Sequence, residues 1–342
     1  MVKNNADNLS TLLTYPFEAG ILPWPDPQQK TLIHNALYWP NSQRMGILEV
    51  VQSFSPDIAG WQQFQPTPDI KQGSLYQNVL CVLAKQKEAC FYQIAQSLNH
   101  LEEDGLMIVV AANDAGGKRI EKWMQEFGLK TYNLSKSKCR IAWAHRKNVN
   151  QEIIDQKIID GARQIISIEG QNFTTQPGIF GWDKVDQGSK LLARFVSEKL
   201  SGNGADFGCG YGFLSNFVLQ KHLQINHFIA AEADYNALLC AQENLKNFSN
   251  IEFQWCDLTQ KINIKAPLDF VIMNPPFHAG KKADSDIGQK FIENAAQALK
   301  KKGVLYMVAN AHLPYEKTLN HLFEKVEKLT EEQGFKVYRA EK

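Results

Sequence analysis

Four groups of residues, spaced along the second half of the chain, can do chemistry together. The first is Asp206-Phe-Gly208-Cys-Gly210-Tyr-Gly212, three glycines at alternate positions behind a carboxylate. Such a run turns the backbone tightly and lets a ligand approach with no Cβ in the way. A helix N-terminus behind it offers free N–H groups. The spacing is not the G-x-G-x-x-G of dinucleotide sites, and the acid would repel a pyrophosphate, so it suits a ligand with an ammonium group. The second is Glu232, placed to accept hydrogen bonds from both hydroxyls of a ribose. Asp234 lies close enough to compete for that role. The third is Asp257, which can take the exocyclic amine of an adenine. The fourth is Asn274-Pro275-Pro276-Phe277-His278. Two prolines hold the backbone extended. The Asn274 side chain and the neighbouring Pro275 carbonyl can then accept from one planar –NH2, while Phe277 stacks on the ring that bears it. Each group alone has an ordinary structural alternative: a tight loop, a solvated turn, a turn cap, a proline-rich turn with a core phenylalanine. His278 can donate to substrate or to backbone. No metal is needed for this chemistry.

These residues need strand ends to hold them, and the pattern supplies strands. Residues 204–208, 227–231, 251–255, 268–273 and 304–309 are short apolar or alternating runs. Helical stripes fall between them at 211–220, 235–247, 287–300 and 314–325, the last with Pro314 in its first turn. Two short strands, near 326–329 and 335–340, close the chain. Strands alternating with helices predict a mostly parallel sheet covered on both faces, and the closing hairpin adds one antiparallel strand.

The first half repeats this pattern faintly. Val79–Ala84 resembles 268–273, and Gly105–Asn113 resembles Gly303–Asn310. Helical segments follow at 91–101 and 117–127, and a basic aromatic strand closes each half, at 138–144 and 336–340. We read an internal duplication with a boundary near 155–170, where Asp160-Gly161 interrupts the pattern. Residues 1–160 form one domain and 166–342 the other.

Composition agrees with two ordinary globular domains. The chain has 342 residues, 44% hydrophobic and 21% charged. No run reaches the roughly 18–20 apolar residues of a membrane helix, and the polar Met1–Ser10 does not read as a signal peptide. The 6 cysteines form no C-x-x-C pair, which argues against a zinc ribbon or disulfide framework and for reduced thiols in the cytoplasm. Lys+Arg of 37 against Asp+Glu of 36 leaves +1, so any nucleic-acid contact must come from local patches. Candidates are Lys118-Arg119, Lys136 with Lys138 and Arg140, Arg146-Lys147 and Lys281-Lys282. Lys300-Lys301-Lys302 is explained more simply as a helix end favoured by the dipole.

The ordered set Asp206–Gly212, Glu232, Asp257 and Asn274–Phe277 resembles class I S-adenosylmethionine-dependent methyltransferases. Segments 176–180, 186–189, 274–280 and 309–315 narrow this to the bacterial ribosomal RNA small subunit methyltransferase C family, over roughly 175–340 and more loosely before it. The resemblance implies two tandem Rossmann-like class I methyltransferase domains. Each would be a mostly parallel seven-stranded-type sheet with one antiparallel strand, the first degenerate and serving folding and RNA docking. It implies S-adenosyl-L-methionine bound by Asp206, Gly208, Gly210, Gly212, Glu232, Asp257 and Asn274. It also implies catalysis by Asn274, Pro275 and Phe277 on the exocyclic N2 of a guanine in 16S rRNA, within the assembled 30S subunit, by a cytoplasmic monomer. Asn-Pro-Pro-aromatic also serves N6-adenine and glutamine-amide methyltransferases, and a large-subunit guanine-N2 enzyme shares the layout. A cofactor-free RNA-binding assembly protein is the non-enzyme alternative. The first half has no glycine loop, the nearest stretch being Met45–Val51, and no Asn-Pro-Pro-Phe after Ala84, so it should bind no cofactor.

Overall fold

The computed structural model describes residues 5–168, 170–196, 199–276 and 282–342. Phe277, His278 and Lys281 lie outside the described residues, and of Lys282 only the backbone is described. The chain divides into two compact units, Met1–Ala162 and Arg163–Lys342.

The first unit holds β1 (Lys30–His34), β2 (Ile47–Val51), β3 (Tyr76–Val82), β4 (Leu101–Ala112), β5 (Tyr132–Lys136) and β6 (Cys139–His145) in the order β2-β1-β3-β4-β6-β5. β6 is the antiparallel member. The second unit begins with a separate hairpin, β7 (Gln164–Ile168) and β8 (Gln171–Thr175). Its main sheet is formed by β9 (Gly202–Phe207), β10 (Ile225–Glu232), β11 (Ile251–Trp255), β12 (Leu268–Met273), β13 (Leu299–Asn310), β14 (Lys325–Glu332) and β15 (Phe335–Glu341). The order is β11-β10-β9-β12-β13-β15-β14, with β15 antiparallel to both neighbours. Both units are therefore α/β with mostly parallel sheets, as the alternation of runs predicts.

Alternating residues fill the two faces of the second sheet. Ala205, Phe207, Val271, Met273 and Leu305 pack with Phe291, Ile292 and Ala295 of the helix Lys282–Ala298. Phe228, Ala230, Phe270 and Ile272 pack on the other face with Leu214, Val218 and Leu238. A sheet buried on both faces reads as continuous apolar runs, which is why 268–273 is legible as a strand. At its centre Gly204 pairs with Phe228 on one side and Phe270 on the other, and the two rings lie 6.2 Å apart. A Cβ at Gly204 would overlap the Phe270 ring.

Four expectations need correction. Among the described residues the first sheet has six strands, one fewer than expected, because residues 52–75, with prolines at 56, 66 and 68, form short 3-10 turns at Ser55–Ile58 and Gln62–Phe64 where the other unit builds an outer strand. Proline cannot donate to a ladder. Matching the strand orders from the antiparallel edge also puts β1 opposite β9, so the counterpart of the glycine turn follows His34, and Ile47–Val51 is instead the edge strand β2. Third, the helix ends at Ala298, and Lys300–Lys302 lie in β13, so no helix dipole explains them. Lys300 is ion-paired with Asp269 of β12, and Lys302 takes a left-handed φ of 65°. The helix expected over 314–325 is shorter, Glu316–Leu322, with Pro314 before its cap and Phe323 extended after it.

Gly204→Ala should destabilise the second unit by about 1–3 kcal/mol, the usual cost of overpacking a filled core. Urea unfolding of the whole chain, following the second unit, checks this; an unchanged midpoint would mean the two rings can part freely.

Candidate active site

In a parallel sheet the carboxyl ends of neighbouring strands meet at one edge, so residues far apart in sequence converge there. β9 ends at Phe207 and the chain turns through Gly208, Gly210 and Gly212, with φ of 83°, 54° and 89°. All three are left-handed, a conformation that costs an L side chain strain. The turn is tied down by Gly208 N and Cys209 N, which both donate to the Ala231 carbonyl at 2.9 and 3.1 Å. Gly212 caps the helix Phe213–Lys221 and a Cβ there would press on Leu245. A Cβ at Gly210 would meet nothing within 4 Å. Gly212 thus answers a packing demand, and Gly210 leaves space open for something to approach.

Three acids gather behind this turn. Asp206 is fully buried; its Oδ2 accepts from Ser215 Oγ at 2.7 Å, and its Oδ1 has no partner among the described residues. Burial, with the nearby Glu232 charge adding to it, pushes the Asp206 carboxyl up to about 7 against the pull of the Ser215 hydrogen bond. Glu232 at the end of β10 accepts from Gly210 N at 2.8 Å through Oε2, and from Ala233 N and Asp234 N at 2.7 and 2.9 Å through Oε1. Burial raises its carboxyl, and those three N–H groups oppose the rise. Asp234 accepts from Asn236 N at 3.0 Å and caps the helix Tyr235–Asn244. Burial and the Glu232 charge push it up to about 7. Of the two acids that the sequence left in competition, Glu232 is the one bonded to the glycine turn.

Asp257 uses Oδ1 to accept from Thr259 N and Oγ1 at 2.8 and 2.7 Å, a local turn after β11. It does not line the pocket that opens between the glycine turn and Asn274. That pocket is walled by Gly208, Gly210, Asn274, Asp186, Ser189 and Phe180 among others. Phe180 is 62% exposed, unusual for a large apolar side chain beside a pocket. Pro275 is buried and Pro276 exposed.

Asn274 follows the last residue of β12. Its Nδ2 donates to Asp186 Oδ2 and to Ser189 Oγ, both at 2.8 Å, while its Oδ1 is buried without a partner among the described residues. Asp186 is in turn the N-cap of the helix Gln187–Phe195, accepting from Ser189 N at 2.8 Å. The sequence reading gave Asp186 and Ser189 no role of their own. An acid followed three residues later by serine, just ahead of a helical stripe, is a visible N-cap signal, but nothing local links it to Asn274. A larger cavity, of about 380 Å³, lies in the first unit near Trp24, Asp26, Gln77, Glu102 and His145, by the amino ends of β3 and β4.

The chain is similar to known proteins across both units. A family model described as "Methyltransferase small domain" matches residues 170–339, and one described as "Methyltransferase small domain N-terminal" matches 48–158. The chain is 31% identical over 262 residues to the ribosomal RNA small subunit methyltransferase C of Psychromonas ingrahamii, covering 76% of this chain and 74% of that protein. It is 27% identical to the protein of that name from Alteromonas mediterranea, over 80% of this chain and 76% of the relative. Among solved structures, the 16S rRNA N2 G1207 methyltransferase of T. thermophilus, in complex with AdoMet and guanosine, matches 100% of this chain and 92% of its own. Its TM-score is 0.78 at 21% identity, which shows a shared fold.

The buried Asp206 gives a pH test. Its folded value of about 7 stands above the ordinary 3.8, so between roughly pH 4 and 7 folding takes up a proton. This group's stability contribution therefore falls as pH rises through that window and is lowest above it. Asp206→Asn removes the titration. The melting temperature of the variant, relative to the natural chain, should climb by about 3 °C or more between pH 5 and 8. A difference that stays flat with pH would contradict the assignment.

Proposed function

Since this chain belongs to the ribosomal RNA small subunit methyltransferase C family, we propose that it transfers a methyl group from S-adenosyl-L-methionine to the exocyclic N2 amine of a guanine in 16S rRNA. The observation that carries this reading is the Asn274 amide: both of its N–H donors are spent on Asp186 and Ser189, and its buried oxygen, beside the glycine turn, has no partner among the described residues. An acceptor held in that state matches an N–H of a substrate amine.

The residues also fit the cofactor. The open side of Gly210 lets a ligand approach the backbone, Asp206 keeps an unpartnered oxygen that suits an ammonium, and Glu232 stands beside the turn for the ribose hydroxyls. Gly208 and Gly212 shape the turn, and Asp257 would take the adenine amine. When bound, the cofactor supplies an activated methyl group. Positioning then does most of the catalysis. Asn274 Oδ1 and the Pro275 carbonyl aim the target nitrogen and favour the positive charge that develops on it. Phe277 stacks on the base, which must leave its helix to be reached.

The first unit serves folding and RNA docking. Its counterparts of the glycine turn and of Asn-Pro-Pro-Phe are Asn35-Ala36-Leu37 and Leu83-Ala84-Lys85-Gln86, which carry none of the needed groups. Its basic residues at 118–119, 136–140 and 146–147 are candidates for phosphate contacts. Some already have partners within the chain: Lys136 lies over the Tyr15 ring, Arg140 donates to Asn133, and Lys147 pairs with Asp104. The protein acts as a monomer in the cytoplasm on the assembled 30S subunit.

Mass mapping of ribosomal RNA tests this reading. Cells lacking the protein should lose one N2-methylguanosine from 16S rRNA. The natural chain should restore it, whereas Asn274→Ala, which removes one preorganised contact typically worth about 10²–10³ in rate, should not restore it fully. Loss from large-subunit rRNA, or of N6-methyladenosine, would favour the other planar-amine enzymes. An unchanged map would favour a non-enzymatic role.

A further inference from the structure

We propose that Asp186 and Ser189 are a positioning pair that locks the Asn274 amide with its oxygen toward the substrate, so that the site selects target atoms that donate a hydrogen bond. This rests on the reading that Asn274 faces the target amine.

An asparagine side chain has a donor end and an acceptor end of nearly the same shape, and a half-turn exchanges them. Turned the wrong way, Asn274 would present –NH2 to an amine, donor against donor. A serine hydroxyl cannot prevent this, because it donates as readily as it accepts. A carboxylate can, because it only accepts. Asp186 Oδ2 stands 2.8 Å from Asn274 Nδ2, so the flipped amide would set oxygen against carboxylate oxygen at that distance. Ser189 Oγ, also at 2.8 Å, then takes the second N–H. Asp186 is itself held by its cap bond to Ser189 N at 2.8 Å. The start of one helix thus sets the orientation of a side chain 88 residues away in sequence.

What remains is one buried oxygen with no partner among the described residues. Buried polar atoms are almost always paired, and a donor arriving through the pocket would pair this one. On a guanine, N1 and N2 carry hydrogens, whereas O6, N7 and N3 only accept. The lock therefore selects among the atoms of a single base.

Exchanging the two side chains tests this. Asn274→Asp places two carboxylates face to face and should lower kcat on 30S subunits by about 10²–10³. Asp186→Asn keeps a competent helix cap but no longer dictates the flip, and should lower kcat by about tenfold. In the double variant D186N/N274D, the amide introduced at position 186 donates to the carboxylate introduced at position 274, which again offers an acceptor to the pocket. It should be at least about tenfold more active than N274D, a coupling that independent sites do not show. Binding of S-adenosylhomocysteine and the KM for 30S subunits should stay near the natural values throughout, with every variant still folded at the assay temperature. A double variant that binds S-adenosylhomocysteine normally but is no better than the product of its singles overturns the proposal. If that variant does not fold, Ser189→Ala decides: kcat lower by about threefold or more at unchanged cofactor affinity supports the lock, and unchanged kcat overturns it. Full turnover by Asn274→Ala would overturn the reading of Asn274 itself, and the lock with it.

Discussion

One half-buried carboxylate holds the working edge of this protein together. Glu232 accepts from Gly210 N across the edge and from Ala233 N and Asp234 N in its own turn, so the ends of β9 and β10 share a single anion. A turn with three left-handed glycines has little regular structure to satisfy its N–H groups, and an unpaired buried amide costs about 1–3 kcal/mol. Glu232 removes part of that cost while being held up out of its ordinary range by burial. With Asp206 and Asp234 close by, each raised to about 7, the edge concentrates negative charge where a positively charged ligand would relieve it.

The two units share most of a strand order and differ in what stands at the strand ends. In both, alternating apolar residues cover two faces of a sheet: Val79, Cys81 and Val109 against Leu80, Ile108 and Val110 in the first, and the pairs around Gly204 in the second. That alternation is what a sheet between helix layers requires. The loops are under no such demand. In the first unit the turn after β1 is built by Asn35, with its own left-handed φ of 54°, and no glycine follows within it. A core can persist while the edge chemistry goes.

The legible parts of this sequence were those whose signal is local. The glycine turn, the Asn-Pro-Pro segment and the apolar runs each announce themselves within a few residues, and the structure has Gly208, Gly210 and Asn274 around one pocket. What could not be read depends on partners distant in sequence. Asp186 and Ser189 look like an ordinary cap until β12 brings Asn274 to them. Lys300–Lys302 follow a helical stripe, and only the pairing of Lys300 with Asp269 reveals a strand. The missing strand of the first sheet was hidden because the duplication suggested equal halves, whereas the prolines between 56 and 68 break one of them.

The central claim is that one edge of one sheet, in the second unit, holds the cofactor. Equilibrium titration of the whole chain with S-adenosylhomocysteine tests it most directly. One molecule should bind per chain, and Gly210→Val, which fills the open side of the turn and strains its left-handed backbone, should abolish that binding while the second unit still unfolds cooperatively. Two molecules per chain, or undiminished binding by Gly210→Val, would contradict it.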